Sequence, residues 1–157
     1  SPMAVSNREI INRRAKFEYH FVQEFEAGMV LTGTEVKSIR AGNANLTDAY
    51  CVFQGDHLWV KNMYIAEYDQ GTIYNHETRR DRILLLKKAE LKKIRRKLDE
   101  KSMTLIPYKM YFSDRDFVKV QIVVAQGKKM YDKREDLKEK DVKRELDRVK
   151  KIHAQRK

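Results

Sequence analysis

The sequence predicts a mainly β protein, a small antiparallel β-barrel with a few short helices and a basic C-terminal tail. Three observations predict this class. Short runs rich in aromatic and β-branched residues alternate between apolar and polar positions, and turn residues separate them. One late segment has the periodicity of an amphipathic helix. The last 31 residues are dominated by charged side chains.

The composition of the chain limits the classes of function that it can have. The chain has 157 residues, 41% of them hydrophobic, which is enough for one domain with a real core. Its 34 Lys and Arg exceed its 23 Asp and Glu by 11, a surplus that attracts polyanions such as nucleic acid. An anionic membrane surface is the alternative, but no run approaches 18 apolar residues and no secretory leader is visible. The single Cys51 fits a reducing cytoplasm.

The N-terminal third contains four predicted elements. Residues 1–16 hold several cations and few apolar side chains, which predicts a poorly anchored basic arm. Residues 17–21 alternate as a half-buried strand, and a bend at Ala27 and Gly28 leads into a second run at 29–31. Residues 33–42 predict a short helix that Thr34 caps and Gly42 ends. A strand that exposes Lys37 is the alternative.

The remaining body alternates between strands and connections. Residues 49–60 predict a hairpin that turns at 54–56, and residues 68–82 predict a long loop whose Arg79, Arg80 and Arg82 could hold sugar-phosphate. Residues 83–86 are too short to classify. Residues 87–101 predict a helix with Leu91 and Ile94 on one face and cations elsewhere. Residues 103–112 and 117–125 predict two final strands, joined by a turn at 114–116.

The tail, residues 127–157, is predicted to be a separate unit beyond the arm at 1–16 and the body at 17–126. It carries 13 basic and 7 acidic residues, a net +6 of the total +11. Its apolar stripe is thin, so we expect it to be disordered when free and helical on an anionic track. A solvated tail or a helix on the body is the alternative. Met130 and Tyr131 beside the cations favour RNA, since an aromatic ring can stack on a base.

Individual side chains in the body add weaker signals. Lys119 alternates with Val118 and Val120, so it faces outward and could meet phosphate; a solvated lysine is the alternative. Lys37 and Arg40 would form a basic edge if the short helix exists. The histidines are scattered without ligand spacing, there is one cysteine and no phosphate-binding loop, so no metal or cofactor is expected. A general ribosomal or single-stranded RNA-binding protein, and a nuclease on a barrel scaffold, remain open.

Eight stretches, in order along the chain, resemble the SsrA-binding protein (small protein B) family of bacteria. They are residues 12–15 (NRRA), 25–28 (FEAG), 33–40 (GTEVKSIR), 44–48 (ANLTD), 75–76 (NH), 84–86 (LLL), 127–129 (GKK) and 132–135 (DKRE). The resemblance implies an OB-like barrel and a basic tail. It also implies binding to the tRNA-like part of transfer-messenger RNA, and delivery to stalled ribosomes, where the tail folds in the empty messenger channel. It implies a monomer without catalytic activity.

The same resemblance implies roles for individual residues. Glu26, Leu85 and Lys119 resemble family positions that contact RNA. The other candidates for RNA contact are Lys37, Arg40, Arg14, Tyr19 and Arg80. The segment that would reach the decoding centre in small-subunit rRNA comprises Lys128, Lys129, Tyr131, Asp132, Lys133 and Arg134. Two positions depart from the family: Tyr131 is often His, and Lys87 is commonly His or Asn.

Overall fold

The computed structural model describes residues 9–69 and 74–155, without the side chains of Arg134 and residues 153–155. Its strands are β1 (Ile10–Ile11), β2 (Tyr19–Met29), β3 (Ala44–Asn45), β4 (Tyr50–Gln54), β5 (His57–Lys61), β6 (Tyr64–Ile65), β7 (Arg82–Leu85), β8 (Met103–Phe112) and β9 (Val118–Gly127). Its helices are α1 (Ala15–Glu18), α2 (Gly33–Arg40), α3 (Lys88–Leu98) and α4 (Lys128–Gln155).

Seven strands form one antiparallel sheet in the order β1-β8-β9-β2-β7-β5-β4, and β3 pairs separately with β6. The sheet is not closed by hydrogen bonds, but it curls so that β4 packs against β8. The prediction of a mainly β, barrel-like fold with a few short helices is therefore confirmed. The hairpin predicted at 49–60 is β4 and β5, and its turn contains Gly55 at φ +62.

Side-chain alternation in β9 shows how the sheet holds its core. Val118, Val120 and Ile122 point into the main hydrophobic cluster, whereas Lys119 and Gln121 are only half-buried on the other face. Ile94 of α3 is fully buried in the same cluster, so the apolar side of that helix covers the core. Burial of this apolar surface is the main stabilising contribution to the fold.

The expectation of a poorly anchored N-terminal arm is wrong for the described residues from Glu9 onward. Ile10 and Ile11 pair with β8, and the backbone N–H of Asn12 donates to the Tyr108 carbonyl at 2.7 Å. Ala15, at the start of α1, is almost completely buried in a small second cluster. Two apolar strand residues, Ile10 and Ile11, and the buried Ala15 anchor this basic segment to the body. The prediction failed because it rested on the large share of charged residues in the segment and not on these three positions. The domain boundaries at 16 and 126 stay a prediction.

Two elements near β2 differ from their predictions. Residues 17 and 18 belong to α1, and β2 then runs without a break through Ala27 and Gly28. The expected bend is absent from β2 because Gly28 lies within the ladder, paired with Leu85 on one side and Lys119 on the other. The helix predicted at 33–42 is confirmed as α2, but its N-cap is Thr32 rather than Thr34. Thr32 and Glu35 form a reciprocal capping box.

Thr34, the predicted cap, has another role. Its hydroxyl lies 2.8 Å from His76 Nδ1, and His76 Nε2 lies 2.9 Å from the Ile65 carbonyl. A carbonyl can only accept, so Nε2 donates to Ile65, and in the neutral imidazole Nδ1 then accepts from Thr34. Asn75 likewise bonds the Tyr68 backbone in both directions. The hydrogen bonds of Asn75 and His76 therefore hold the described ends of the 68–82 connection against the body.

Candidate nucleic-acid interface

Three residues far apart in sequence lie together on the outer face of the sheet. Glu26, Leu85 and Lys119 occupy outward positions of β2, β7 and β9, and Gly28 lies between the last two in register. They line one surface depression, which we call the groove, together with Gly28, Leu86, Lys87 and Glu90. An added Cβ at Gly28 would lie 3.5 Å from Leu85 Cβ, so glycine keeps the floor of the groove low.

Glu26 is oriented by a neighbouring tyrosine. The Tyr111 hydroxyl of β8 donates to Glu26 Oε2. Burial and this bond to a carboxylate together raise the pKa of Tyr111, so its proton stays in place at neutral pH. A fixed carboxylate is a hydrogen-bond acceptor suited to base amino or sugar hydroxyl groups. Glu26 can therefore accept hydrogen bonds from RNA bases or sugars, although its negative charge repels phosphate.

The groove also carries exposed apolar surface. Leu85 in the groove is 56% exposed. Phe117, just before β9, is 66% exposed and lines a neighbouring depression that shares Gly28, Leu85 and Lys119 with the groove. Phe117 precedes Lys119 by two positions, the spacing that places residues of an extended chain on the same side, and its exposure agrees with an outward position. Sequence reasoning missed Phe117 as a candidate site residue. The signal was available, because Phe117 stands at a polar-facing position of an alternating run.

The basic edge predicted on α2 is largely engaged within the protein. Arg40 makes two hydrogen bonds to the Asp116 carboxylate, at 3.1 and 2.8 Å, and stacks on Phe112. The hydrogen bonds from Arg40 hold the pKa of Asp116 below its usual value. Lys37 is exposed and lies 5.4 Å from the Tyr68 ring centre. Asp116 lines a depression beside the groove, whereas Lys37 lines neither, and the Arg40 guanidinium is already occupied by Asp116.

The arginines predicted in the 68–82 loop separate into different roles. Arg82 belongs to β7 and is fully buried against Glu35, so the expectation that it could hold sugar-phosphate is wrong. Arg80 is partly exposed and contacts the other Glu35 oxygen at 2.5 Å. Arg79 is exposed and bonds Asn62. For Arg80, an RNA contact stays a prediction, because its guanidinium already donates to the buried Glu35 carboxylate and to the Val30 and Asp81 carbonyls.

Arg14 and Tyr19 lie at the other end of β2. They line a second depression with Asn12, Glu18 and Thr104, among others, and Arg14 pairs with Glu18 at 3.4 Å. Tyr19 pairs with Gly127, whereas Gly28 pairs with Lys119. Nine strand residues separate these two points, about 30 Å in an extended strand. The structure therefore does not bring Arg14 and Tyr19 into the groove.

The tail helix α4 begins directly after β9, at this far end of the sheet. Tyr131 stacks on His20 of β2, with ring centres 3.9 Å apart and planes 17° apart. Lys128, Lys129, Asp132 and Lys133 are exposed, and the Arg134 side chain lies outside the described residues. The predicted decoding-centre segment is thus about 30 Å along β9 from Lys119. Groove and tail are two separate surfaces.

The described part of the chain contains no cluster of three or more His, Cys, Asp or Glu placed to hold a metal ion. Cys51 is buried, and burial raises the pKa of its thiol. Within residues 9–69 and 74–155, every helix is too short or too polar to cross a lipid bilayer.

Fold and site together define a class: a mainly β protein whose outer groove combines a cation with exposed apolar side chains, and whose C terminus is a cationic helix. The SmpB protein family model matches residues 9–152. The SsrA-binding protein of Cytophaga hutchinsonii is 48% identical over 92% of this chain and 95% of its own length. That of Phocaeicola vulgatus is 50% identical over 89% and 93%, respectively.

A solved structure described as "tmRNA-SmpB: a journey to the center of the bacterial ribosome" contains a similar chain. It is 42% identical, with a TM-score of 0.66, over 76% of this chain and 83% of that one. The chain belongs to the SmpB family. The family resemblance seen in the eight sequence stretches is therefore confirmed.

Proposed function

We propose that this protein binds the tRNA-like part of transfer-messenger RNA through the groove and delivers it to stalled bacterial ribosomes. The observation that carries the proposal is the convergence of Glu26, Leu85 and Lys119 in one depression. Lys119 supplies a phosphate contact, Leu85 an apolar surface for an unstacked base, and Glu26 an oriented acceptor. The names of the relatives and of the similar solved structure support the same partner.

The tail has the second role in this proposal. α4 enters the empty messenger channel of the small subunit, with Lys128, Lys129 and the segment Tyr131 to Arg134 near the decoding centre. Its separation from the groove supports this division, because one surface can hold RNA while the other reaches rRNA. For that contact Tyr131 would leave His20 and stack on a base instead. The protein acts as a cytoplasmic monomer, without catalysis or cofactor.

Competition binding tests the proposed partner. At fixed salt, we expect unlabelled transfer-messenger RNA to displace a labelled copy at a concentration at least ten-fold lower than mixed single-stranded RNA of equal length. Equal competition would favour a general ribosomal or single-strand-binding protein. Incubation of the labelled RNA with protein and Mg²⁺ is the companion assay. RNA cleavage that follows the protein through purification would count against a non-catalytic role.

Lys119→Ala should weaken binding to transfer-messenger RNA and reduce the slope of log affinity against log salt by about 1, because one phosphate contact is lost. Filter binding at four salt concentrations gives the slope. Lys16→Ala is the matched control, since Lys16 is an exposed lysine of α1, outside the groove. A Lys119→Ala slope equal to that of the wild type would mean that Lys119 meets only water.

A further inference from the structure

Helix α3 carries a concentration of charge that none of the predicted contacts uses. Residues 87–101 contain eight Lys or Arg and three Asp or Glu, a net +5. The chain outside the tail has a surplus of five in total, since the tail accounts for +6 of +11. The arm at 1–16 carries a net +3, and the rest of the body, residues 17–86 and 102–126, carries nine basic and twelve acidic residues. The cationic surplus of the body therefore lies on and around one helix.

The cations of α3 are arranged as a row. Lys88, Lys92 and Arg96 are exposed and follow one another at intervals of four residues, which places them about one turn, 5–6 Å, apart on one face. Ile94 on the opposite face is fully buried. Packing of Ile94 fixes the orientation of the helix, so the row points permanently into solvent. We call these three residues the α3 stripe.

The stripe has no internal counter-charge among the described residues. Within residues 9–69 and 74–155, Lys88, Lys92 and Arg96 make neither an ion pair nor a side-chain hydrogen bond. Neighbouring cations on α3 behave otherwise: Arg95 stacks on Phe53 and donates to the Gly55 carbonyl, and Lys97 approaches Glu100. Like charges four residues apart repel and destabilise a helix. A bound polyanion would relieve that repulsion.

The stripe begins beside the groove. Lys87 and Glu90, at the start of α3, line the groove itself, and Lys88 follows Lys87 directly in the chain. From Lys88 the stripe runs for about 12 Å along the outer side of the helix, away from the face that carries Glu90 and Ile94. A nucleic acid whose unpaired bases occupy the groove would have its adjoining backbone beside these cations. A double helix offers phosphates as a regular row, recognised by position rather than by sequence.

We infer that the α3 stripe binds the phosphate backbone of a double-helical RNA arm next to the part held in the groove. The inference rests on the proposed function and adds which part of the RNA is held, and by which residues. The groove provides selectivity through Glu26 and Leu85. The stripe provides sequence-independent affinity and fixes the direction in which the double helix leaves the protein.

The test compares two variants of the full chain with equal loss of charge. K88Q/K92Q/R96Q removes the stripe, and K140Q/K143Q/K150Q removes three exposed lysines from α4. Two RNA probes are used: the complete tRNA-like part, and the same RNA with its double-helical arms cut to a few base pairs. Affinity is measured at several salt concentrations, and circular dichroism checks that each variant is folded.

We expect the stripe variant to bind the complete RNA about ten-fold or more weakly, with a salt slope reduced by 2–3, and the α4 variant to change little. The stripe variant should also lose the preference of the wild type for the RNA with full-length arms. Unchanged affinity and slope in the stripe variant would overturn the inference. If Lys119→Ala still weakened binding in that case, the proposed function would stand. Absence of any preference for the tRNA-like RNA in the wild type would defeat both.

A different occupant would also be visible. Vesicles of anionic phospholipid that bind the wild type but not the stripe variant, with RNA binding unchanged between the two, would assign the stripe to a lipid surface and overturn the inference.

Discussion

Glu35→Gln is expected to lower the free energy of unfolding by about 3–5 kcal/mol, because it leaves the buried Arg82 guanidinium without its counter-charge. Glu35 and Arg82 are both completely buried. Arg82 also donates to the Met63 carbonyl at 2.8 Å and to the Thr78 carbonyl at 3.2 Å, so it cannot move out to water without breaking β7 contacts. Urea unfolding followed by circular dichroism measures the change.

The control for this prediction is Glu18→Gln, which removes an exposed carboxylate paired with Arg14. Exposed pairs contribute about 0–1 kcal/mol, so its unfolding midpoint should stay near that of the wild type. Similar midpoints for the two variants would show that the Glu35–Arg82 pair contributes no more than a surface pair.

The same pair predicts a pH dependence. Burial opposes ionisation of Glu35, but hydrogen bonds from Arg80, the Thr32 amide and Arg82 outweigh it, so the pKa of Glu35 in the folded protein is lowered. Because folding lowers this pKa, the ionised Glu35 side chain contributes its full stabilisation at pH values above the pKa that it has in the unfolded chain, about 4.3. As the pH falls below that value towards the pKa in the folded protein, this stabilisation is lost. Glu35→Gln should therefore remove part of the stability loss that the wild type shows in acid.

Deletion of residues 130–157 should leave affinity for transfer-messenger RNA within about three-fold of the wild type and abolish rescue of stalled ribosomes. Among the described residues, the hydrophobic clusters contain no member of α4, so the body keeps its core without the tail. The small loss of affinity reflects the removed net charge, which acts on RNA without making the groove contacts. Filter binding and a peptide-tagging assay on stalled ribosomes measure the two effects.

Lys119→Ala serves as the reciprocal control for the deletion, because it should weaken RNA binding while the tail stays intact. The two variants then affect different steps. Loss of RNA binding in the truncated protein, with a native circular dichroism spectrum, would contradict the division of labour between groove and tail.

Some of the predictions that depended only on the residue pattern within one strand or helix were correct. The alternation at 117–125 predicted an outward Lys119, and β9 has it there, since neighbouring residues of a strand point to opposite faces. The amphipathic pattern at 87–101 predicted α3, and Ile94 is indeed its buried residue. Errors arose where a distant partner decides the outcome. Arg82 looked like its neighbours Arg79 and Arg80, but Glu35, 47 residues away, draws it into the interior.

The sequence by itself determined the class of the protein: its strand and helix patterns, the division of charge between body and tail, and its family. Tertiary structure alone decided which outward residues meet. Glu26, Leu85 and Lys119 share a groove because β2 lies between β7 and β9, an order that follows from long-range strand pairing. The same pairing separates the groove from α4. Local patterns specify the face of a strand that a residue occupies, whereas its neighbours on that face depend on strands distant in the chain.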